Sequence, residues 1–318
     1  MTIASAFGRP AGLVTIDVEP DNVWAKPEGT GFENIRQLPR FHALCRDHGV
    51  RPTYLVSYAV AEDSASVVIL EKLLAHGMCE IGMHPHLWET PPLLPMDRQG
   101  QAWPGPAYPA DALAEKLGRL QSLLARRFGT PRSHRAGRYG LDARQVPMLT
   151  ACGITTDTSV TPRIDWTSTG APDYSSARLT PYFLSPTNIL QSGDSSLLEV
   201  PCTVRPGVKF GGLERTRVGR LMLRRFGRDS QWLRGSPQAS STSLTAVNAW
   251  AVKRTPCLNL MTHSSELCAG TSPYWKTEVA VSAHLSLCSA VFRWWQAHAV
   301  VPQTLQEFRA GWSLQQMA

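Results

Sequence analysis

The amino-acid sequence predicts an α/β fold and, within that class, a (β/α) barrel of seven or eight units. Short apolar runs that are typical of buried strands alternate with amphipathic segments of helix length along the 318 residues. About seven strands are each followed by a helix, which is the order of a parallel sheet or barrel. Several of these apolar runs end in a charged residue or a histidine, at the edge where barrel active sites lie.

The first half of the chain contains the clearest repeating units. Strands are predicted over residues 13–17, 51–57, 79–84, 132–137 and 154–159. Helices are predicted over residues 33–48, 64–77, 110–129 and 141–153. The first helix illustrates the pattern, because its apolar residues recur every three or four positions and Gly49 follows as a typical helix end.

The remaining sequence contains two long loops. Residues 91–109 are rich in proline and glycine and too long for a simple connection, so they are expected to cover or line a site. Residues 161–205 are irregular, with one predicted strand at 197–201. Further elements are predicted as helices over 241–253 and 277–299, a strand over 257–263, and a strand tip with a short helix over 300–312. No linker interrupts these elements, so we predict a single domain over 1–318 that carries a long decorated loop at 161–205.

The net charge of the chain narrows the class of partner only slightly. It is +7, from 32 basic and 25 acidic residues, which favours an anionic partner such as a nucleic acid, a phosphorylated substrate or a membrane surface. The basic excess is densest at 215–228, where helical spacing predicts a solvated helix or, alternatively, a contact with a phosphate or lipid head group. Because the chain lacks interleaved aromatic and basic residues, we predict no nucleic-acid partner.

Targeting and cysteine patterns predict a reducing compartment. The seven cysteines are scattered and include no C-x-x-C pair, as expected for reduced core thiols. The N-terminus has no signal-peptide pattern, and no run of about 18 apolar residues occurs. We therefore predict a cytoplasmic protein without a transmembrane segment, and leave its oligomeric state open.

Polar residues at the predicted strand ends are the candidates for chemistry. We expect five of them to converge on one rim of the barrel: Asp17, His84, Arg135, Asp157 and His263. In TIDVEPD, acidic residues alternate at 17, 19 and 21, and in GMHPHLWETPP two histidines are spaced so that a strand would place both on one face. Two imidazoles and a carboxylate suit Zn²⁺ or another first-row divalent ion, and a second carboxylate can act as a base. Taken singly, the acidic pair also suits a solvated strand end or helix cap, and the histidines suit backbone-bonded loop residues.

Five motifs occur in the order and approximate spacing of a known enzyme family. TIDVEPD, EIGMHPHLW, HRAGRYG, DTSVTP and LNLMTHSSEL resemble the motifs of the NodB-homology polysaccharide deacetylases, carbohydrate esterase family 4. The likeness covers about residues 12 to 310 and is greatest to a cytoplasmic-type branch with D-x-E-P and H-x-H motifs. It implies a distorted (β/α)7–8 barrel that removes N-acetyl groups from sugars with the help of a metal ion.

The resemblance also implies roles for individual residues. Asp17 corresponds to the general base, and Glu19 and His84 correspond to metal ligands. Arg135 resembles the arginine that orients the base through a salt bridge. His263 matches the general acid that protonates the leaving amine.

Some positions depart from the family pattern and leave alternatives open. Family members place the two motif histidines four residues apart, but position 88 is Trp88, so His86 is expected to be the second imidazole ligand. Asp21 is a fallback for Glu19, and Arg138 competes with Arg135 for Asp17.

The remaining candidates surround the reacting group. The family pattern places an oxyanion-binding backbone N–H near Tyr139. Either Asp157 or Glu266 is expected to hold the imidazole of His263. Trp88, Arg138 and Tyr139 are expected to contact substrate, and the loop residues Trp166 and Tyr174 are further candidates for stacking on sugar.

These expectations define one leading function and its alternatives. The leading function is metal-dependent N-deacetylation of a small-molecule or lipid-linked sugar, with zinc as the expected ion and cobalt, nickel or manganese as substitutes. The alternatives are a catalytically silent carbohydrate-binding relative, a basic nucleic-acid-binding protein, and a hydrolase of a formamide or cyclic amide.

Overall fold

The computed structural model describes residues 8–207, 216, 218–219 and 230–317, with side chains as far as Trp312. The arginine-rich segment 215–228, predicted as a helix, therefore lies almost entirely outside the described residues.

The described residues contain eleven strands, nine of which form one sheet that is parallel at every contact except one. In chain order the strands are β1 (Ala11–Val18), β2 (Pro52–Val56), β3 (Glu80–Met83), β4 (Ser133–His134), β5 (Thr156–Asp157), β6 (Tyr182–Phe183), β7 (Leu198–Glu199), β8 (Val204–Arg205), β9 (Gln231–Trp232), β10 (Cys257–His263) and β11 (Val301–Gln303). Their order in the sheet is β10-β1-β2-β3-β4-β5-β7-β6, and β11 pairs with the start of β1. The exception is β6, which runs antiparallel to β7, while β8 and β9 form a separate two-stranded ribbon.

Helices follow most of the strands, and all of those described except the last pack outside the sheet. They are α1 (Leu38–Asp47), α2 (Tyr58–Glu62), α3 (Ser64–Ala75), α4 (Ala110–Phe128), α5 (Gln145–Ala151), α6 (Ser241–Ala251), α7 (Glu278–Ala297) and α8 (Leu305–Met317). The helix predicted over 33–48 is divided into a 3-10 turn, Glu33–Gln37, and α1. Pro39 in the first turn of α1 explains the division, because proline has no N–H to continue the preceding hydrogen bonds.

Irregular residues bridge the gap between β7 and β10 and close the barrel. The backbone N–H groups of Leu233 and Asn259 donate to the carbonyl and the hydroxyl of Thr203, each at 2.8 Å. Met261 N–H then donates to Leu233 O at 3.2 Å. The predicted distorted (β/α) barrel is therefore confirmed, with part of its wall made by segments that are not strands.

Two hydrophobic cores hold the barrel together. The larger one lies between the sheet and the surrounding helices. The smaller one fills the barrel interior, where Leu13 and Leu198 meet Leu305, Phe308 and Trp312 of α8. The last helix therefore plugs the barrel at the amino ends of its strands, which leaves the opposite end open for a site. Within the described part of the chain, no helix combines the length and apolar character needed to cross a bilayer.

Candidate active site

Four of the five predicted strand-end residues meet at the carboxyl end of the barrel. Asp17, the second-last residue of β1, lies in register with His263, the last residue of β10. His84 and Arg135 directly follow β3 and β4. All four are buried. This convergence follows from a parallel sheet, because the carboxyl ends of its strands share one edge.

Asp157 does not join this group, so the prediction that it lies on the same rim is wrong. Its carboxylate lies 2.5 Å from His134 Nδ1 and accepts a hydrogen bond from Ser159. The sheet register aligns it with His134 and Glu199. Because consecutive strand residues point to opposite faces, His134 and its partners face the helices while Arg135 faces the interior.

Glu19, His84 and His86 form a compact set of metal-ligating groups. One ligand atom from each, Nε2 of the histidines or a carboxylate oxygen, lies within 4.8 Å of the others, and all three residues are buried. His86 Nε2 lies 3.3 Å, and His84 Nε2 4.0 Å, from Glu19 Oε2. Buried carboxylates and imidazoles at this spacing are costly unless they share a cation.

The environment of His84 prepares its Nε2 as a ligand atom. Nδ1 lies 2.8 Å from Arg135 O, which can only accept, so Nδ1 carries the proton and Nε2 keeps its lone pair. Burial lowers the pKa of His84 to about 4, against the opposing charges of Asp17 and Glu19. The imidazole is therefore neutral near pH 7, as a metal ligand must be.

His86 lies where the surroundings favour positive charge. Burial alone lowers the pKa of its imidazole, but the carboxylates of Glu89 and Glu19 outweigh burial and raise the pKa to about 9. A divalent cation at this point would replace the proton that the imidazole otherwise holds. The chemistry of the three donors therefore fits a divalent metal ion.

The indole of Trp88 supports His86 from behind. The two rings are stacked with centroids 4.3 Å apart, and the indole N–H donates to Pro27 O at 2.8 Å. Only 6% of Trp88 is exposed. Trp88, which is predicted to contact substrate, therefore holds the ring of His86 in place. Little of its own ring surface is left for a sugar.

Arg135 fixes Asp17 in a charged state. The fully buried guanidinium donates through Nη1 to Asp17 Oδ1 at 2.7 Å, through Nη2 to Thr15 Oγ1 at 2.7 Å and through Nε to Thr158 O at 3.0 Å. Burial raises the pKa of Asp17, but Arg135, His84 and His263 outweigh it and lower the pKa to about 2. Asp17 Oδ2 stays open between His84 Nε2 at 3.8 Å and His263 Nε2 at 3.6 Å.

The other candidates in the third motif lie at the rim. Arg138 is exposed and has a left-handed backbone with φ 56°, so Arg135 is the arginine that pairs with Asp17. The ring of Tyr139 stacks on Trp166 with centroids 5.1 Å apart. Its backbone N–H, at the predicted oxyanion position, donates to Ala136 O at 3.0 Å and is thus engaged within the turn.

Two further candidates have structural partners. The carboxylate of Asp21 accepts hydrogen bonds from the backbone N–H groups of Glu33 and Asn34 at 2.9 and 3.0 Å, which caps the 3-10 turn. Tyr174 is buried, and its hydroxyl donates to Tyr139 O at 2.7 Å. Neither side chain is therefore available to an ion or a sugar in this arrangement.

His263 is held by Glu266 and by an arginine that lies outside the sequence motifs. Glu266 Oε2 accepts the backbone N–H of His263 at 2.9 Å and lies 3.4 Å from its Nδ1. Arg234 Nη2 lies 2.7 Å from Glu266 Oε1 and 3.1 Å from His263 Nδ1. Of the two partners considered for His263, the structure places Glu266 beside it.

Glu266 is charged despite its burial. Burial raises its pKa, but Arg234 and the neighbouring histidines outweigh that effect and hold the pKa well below its usual value. The carboxylate of Glu266 and the guanidinium of Arg234 therefore meet at Nδ1 of His263. The other ring nitrogen of His263, Nε2, faces Asp17.

The loop that carries both histidines is anchored from two sides. Gly137 N–H donates to Pro85 O at 3.2 Å, and a Cβ at this glycine would lie only 2.5 Å from that oxygen. On the other side, the buried Lys116 of α4 donates to the carbonyl oxygens of Leu87 and Thr90 at 2.8 and 2.7 Å. Lys116 also pairs with Asp97 at 2.8 Å.

Replacing Lys116 with methionine should destabilise the protein strongly. The change leaves the buried carboxylate of Asp97 unpaired, and breaking a buried ion pair costs about 3–5 kcal/mol. The measurement is the free energy of unfolding in urea. The matched control is Lys72→Met at an exposed position of α3, which should change little. Equal stability of the two variants would show that Lys116 does not anchor the loop.

Comparison with solved structures shows that other proteins share this fold. A Mycobacterium smegmatis protein described as a "putative polysaccharide deacetylase" matches with a TM-score of 0.58 at 16% sequence identity, covering 97% of this chain and 92% of that one. A Parabacteroides distasonis protein described as a "putative glycoside hydrolase/deacetylase" matches with a TM-score of 0.59 at 11% identity, covering 96% and 71%. No family model and no curated protein sequence matches the chain. The chain thus has the fold of the polysaccharide deacetylase type, as the motif resemblance implies.

Proposed function

We propose that the protein is a metal-dependent hydrolase that removes N-acetyl groups from a sugar or a sugar-containing intermediate. One observation carries the proposal: three buried ligand groups lie beside a charged Asp17 whose free oxygen lies 3.6 Å from His263 Nε2. A base, an acid and a cation site at one rim are the groups that metal-assisted hydrolysis of an amide uses. The fold and the five motifs support the same conclusion.

The chain's own residues supply the proton transfers. Glu19, His84 and His86 would hold the ion. When bound, a divalent cation supplies Lewis acidity that polarises the acyl oxygen and makes water more acidic. Asp17 accepts the proton of the attacking water at Oδ2, while Arg135 holds Oδ1 and keeps the carboxylate charged.

His263 completes the reaction by protonating the leaving nitrogen. An amide anion is too basic to leave at neutral pH, so C–N cleavage needs a proton at that moment. His263 Nε2 faces the same space as Asp17 Oδ2, and Glu266 with Arg234 fixes the opposite edge of the ring. Acetate and a free amine are the products.

Aromatic side chains at the rim support a carbohydrate substrate. Tyr139, Trp166 and Trp232 form one cluster, with ring centroids 5.1 to 6.3 Å apart. Trp24 and Tyr274 form a second beside His263. Flat aromatic faces with polar edges suit the mixed apolar and polar surface of a sugar. A small or lipid-linked cytoplasmic sugar remains our proposed substrate, and zinc our proposed ion.

The proposal is tested by release of acetate. Purified full-length protein loaded with zinc should release acetate from N-acetylated mono- and disaccharides, and treatment with a chelator should stop the release. Binding of these sugars without acetate release would instead identify a catalytically silent relative. Release of formate from N-formyl sugars in preference to acetate would correct the acyl group.

The role of His86 as second imidazole ligand has its own test. His86→Ala should lower zinc affinity by more than the roughly 10–100-fold that loss of an outer partner of a ligand costs. The measurement is competition with a chelating dye at neutral pH. His298→Ala, at an exposed position, is the matched control and should bind zinc like the wild type. Unchanged affinity in His86→Ala would mean that the ion is held without this imidazole.

A further inference from the structure

A cavity beside the acid side of the site has no role in the mechanism described above. It has a volume of about 380 Å³ and is lined by residues of two loops, among them Asn22, Trp24, Ser272 and Lys276. We call it the Trp24 cavity. Its volume lies at the small end of the range for small-molecule sites, roughly 300–1,000 Å³, which suits one sugar unit.

The two loops are joined to each other and to the catalytic strands. Asn22 N–H donates to Thr271 O at 2.9 Å, and Thr271 Oγ1 donates to Ser265 O at 2.8 Å. Asn22 takes a left-handed backbone conformation with φ 59° and donates through Nδ2 to Thr30 Oγ1 at 3.0 Å. The cavity therefore lies between the loop that begins at Glu19, after β1, and the loop that follows His263, at the end of β10.

Trp24 connects the cavity with the reacting centre. Its ring lies 4.8 Å from the ring of His263, centroid to centroid, at 69°. On another side it meets Tyr274 at 5.8 Å and 79°. Because His263 protonates the leaving nitrogen in the proposed mechanism, the sugar that bears this nitrogen must lie on the His263 side. The half-buried indole is in ring contact with His263 and offers an aromatic face on that side on which the sugar can stack.

The charged side chain at the edge of the cavity is a lysine. Among the described residues that line the cavity, Lys276 is the one that is charged, and none of them is a carboxylate. Lys276 is exposed, and within the described ranges 8–207 and 230–317 it takes part in no ion pair or hydrogen bond. An ammonium that has no partner at the edge of a cavity favours an anionic group there.

We propose that the Trp24 cavity binds an anionic group, a phosphate or a carboxylate, attached to the sugar that carries the N-acetyl group. The inference rests on the proposed deacetylase function for the direction in which the sugar lies. In this arrangement Trp24 stacks on the sugar ring and Lys276 pairs with its anion. The substrate class is then an acidic or phosphorylated N-acetyl sugar.

Sugars without an amide test the subsite without turnover. The probes are glucose, glucose 1-phosphate and glucuronic acid, titrated calorimetrically into zinc-loaded full-length protein. We expect at least one anionic sugar to bind roughly fivefold more tightly than glucose, with the gain shrinking as salt rises. The phosphate and carboxylate probes decide which anion is preferred.

Variants separate the two contacts of the subsite. Lys276→Gln should remove the gain for the anionic sugar, Lys276→Arg should keep it, and Lys72→Gln at a distant exposed lysine should keep it as well. Trp24→Leu should weaken all three probes by roughly tenfold, because it removes the stacking face. Thermal unfolding of each variant shows that it is folded.

Three results would overturn the subsite. The first is equal affinity for all three probes, and the second is absence of binding by every probe. The third is tighter binding of an anionic sugar than of glucose in Lys276→Gln, which would place the anion elsewhere, for example on the zinc ion. Anion-dependent binding through Lys276 without acetate release from any N-acetyl sugar would refute the proposed function and leave the subsite standing. Acetate release with no preference for anionic sugars would support the proposed function and refute the subsite.

Discussion

Asp17→Asn should abolish acetate release while zinc stays bound. The asparagine oxygen can still accept the hydrogen bond that Arg135 donates at 2.7 Å in the wild type, so the local arrangement is retained. The amide cannot take a proton from water, and loss of a positioned base costs roughly 10²–10⁴-fold in rate. Asp17 is not among the three ligand residues, so the zinc content should remain that of the wild type. The measurements are acetate release and metal analysis of the same preparation.

The control for this prediction is an aspartate far from the site. Asp47 is exposed next to Arg46, and Asp47→Asn should leave both acetate release and zinc content unchanged. Activity that survives in Asp17→Asn would show that another group accepts the proton. Loss of zinc together with activity would show that Asp17 belongs to the ligand set, which would move the base to another residue.

The sequence predicts the regular part of the barrel well because its pattern is local. The strand predicted over 257–263 matches β10 residue for residue, since CLNLMTH is a continuous buried run ended by a histidine. The helix predicted over 110–129 matches α4 to within one residue, because apolar residues recur on one face and Gly129 ends it.

The two-residue strands β4, β5 and β7 lie inside predicted strands, but the sequence does not indicate β6, β8 and β9, since each is defined by its partner. β6, β8 and β9 contain two residues each, too few to show any alternation of apolar and polar side chains. Their pairing is fixed by contacts between distant parts of the chain. The predicted decorated loop at 161–205 therefore contains β6, β7 and β8, where the sequence indicates one strand.

The difference between local patterns and contacts of distant segments also decides which site residues the sequence predicts. Asp17, Glu19, His84 and His86 belong to short motifs, and their spacing on a parallel sheet is enough to predict that they meet. Arg234 follows the ribbon strand β9 in a segment with no motif, and it reaches His263 because Leu233 bonds to both Thr203 and Met261. Nothing local to residue 234 indicates this position. Trp24 offers more signal, since it lies seven residues after Asp17 on the same loop as Glu19.

Asp157 shows that a difference of one position along a strand decides whether a side chain belongs to the site. A shift by one position along a strand moves a side chain to the other face of the sheet. The sequence indicates that strand 154–159 ends at a polar group, but Asp157 and Thr158 are both polar, so the pattern cannot tell which one faces inward. Arg135 donates to Thr158 O and contacts Thr158 Oγ1 at 3.3 Å, while Asp157 pairs with His134.

His263→Gln should separate amide hydrolysis from ester hydrolysis. With an N-acetyl sugar the leaving nitrogen must be protonated, and glutamine has no acidic proton to give, so acetate release should fall by roughly 10²–10⁴-fold. With 4-nitrophenyl acetate the leaving nitrophenolate needs no proton near neutral pH, so the rate should fall by much less. His298→Gln, exposed on the surface, should affect neither substrate. An equal loss on both substrates would mean that His263 acts through position or charge, since Trp24, Glu266 and Arg234 all rest against its ring. An unchanged rate on the amide would place the acid elsewhere in the site and remove the reason for assigning the sugar to the Trp24 side.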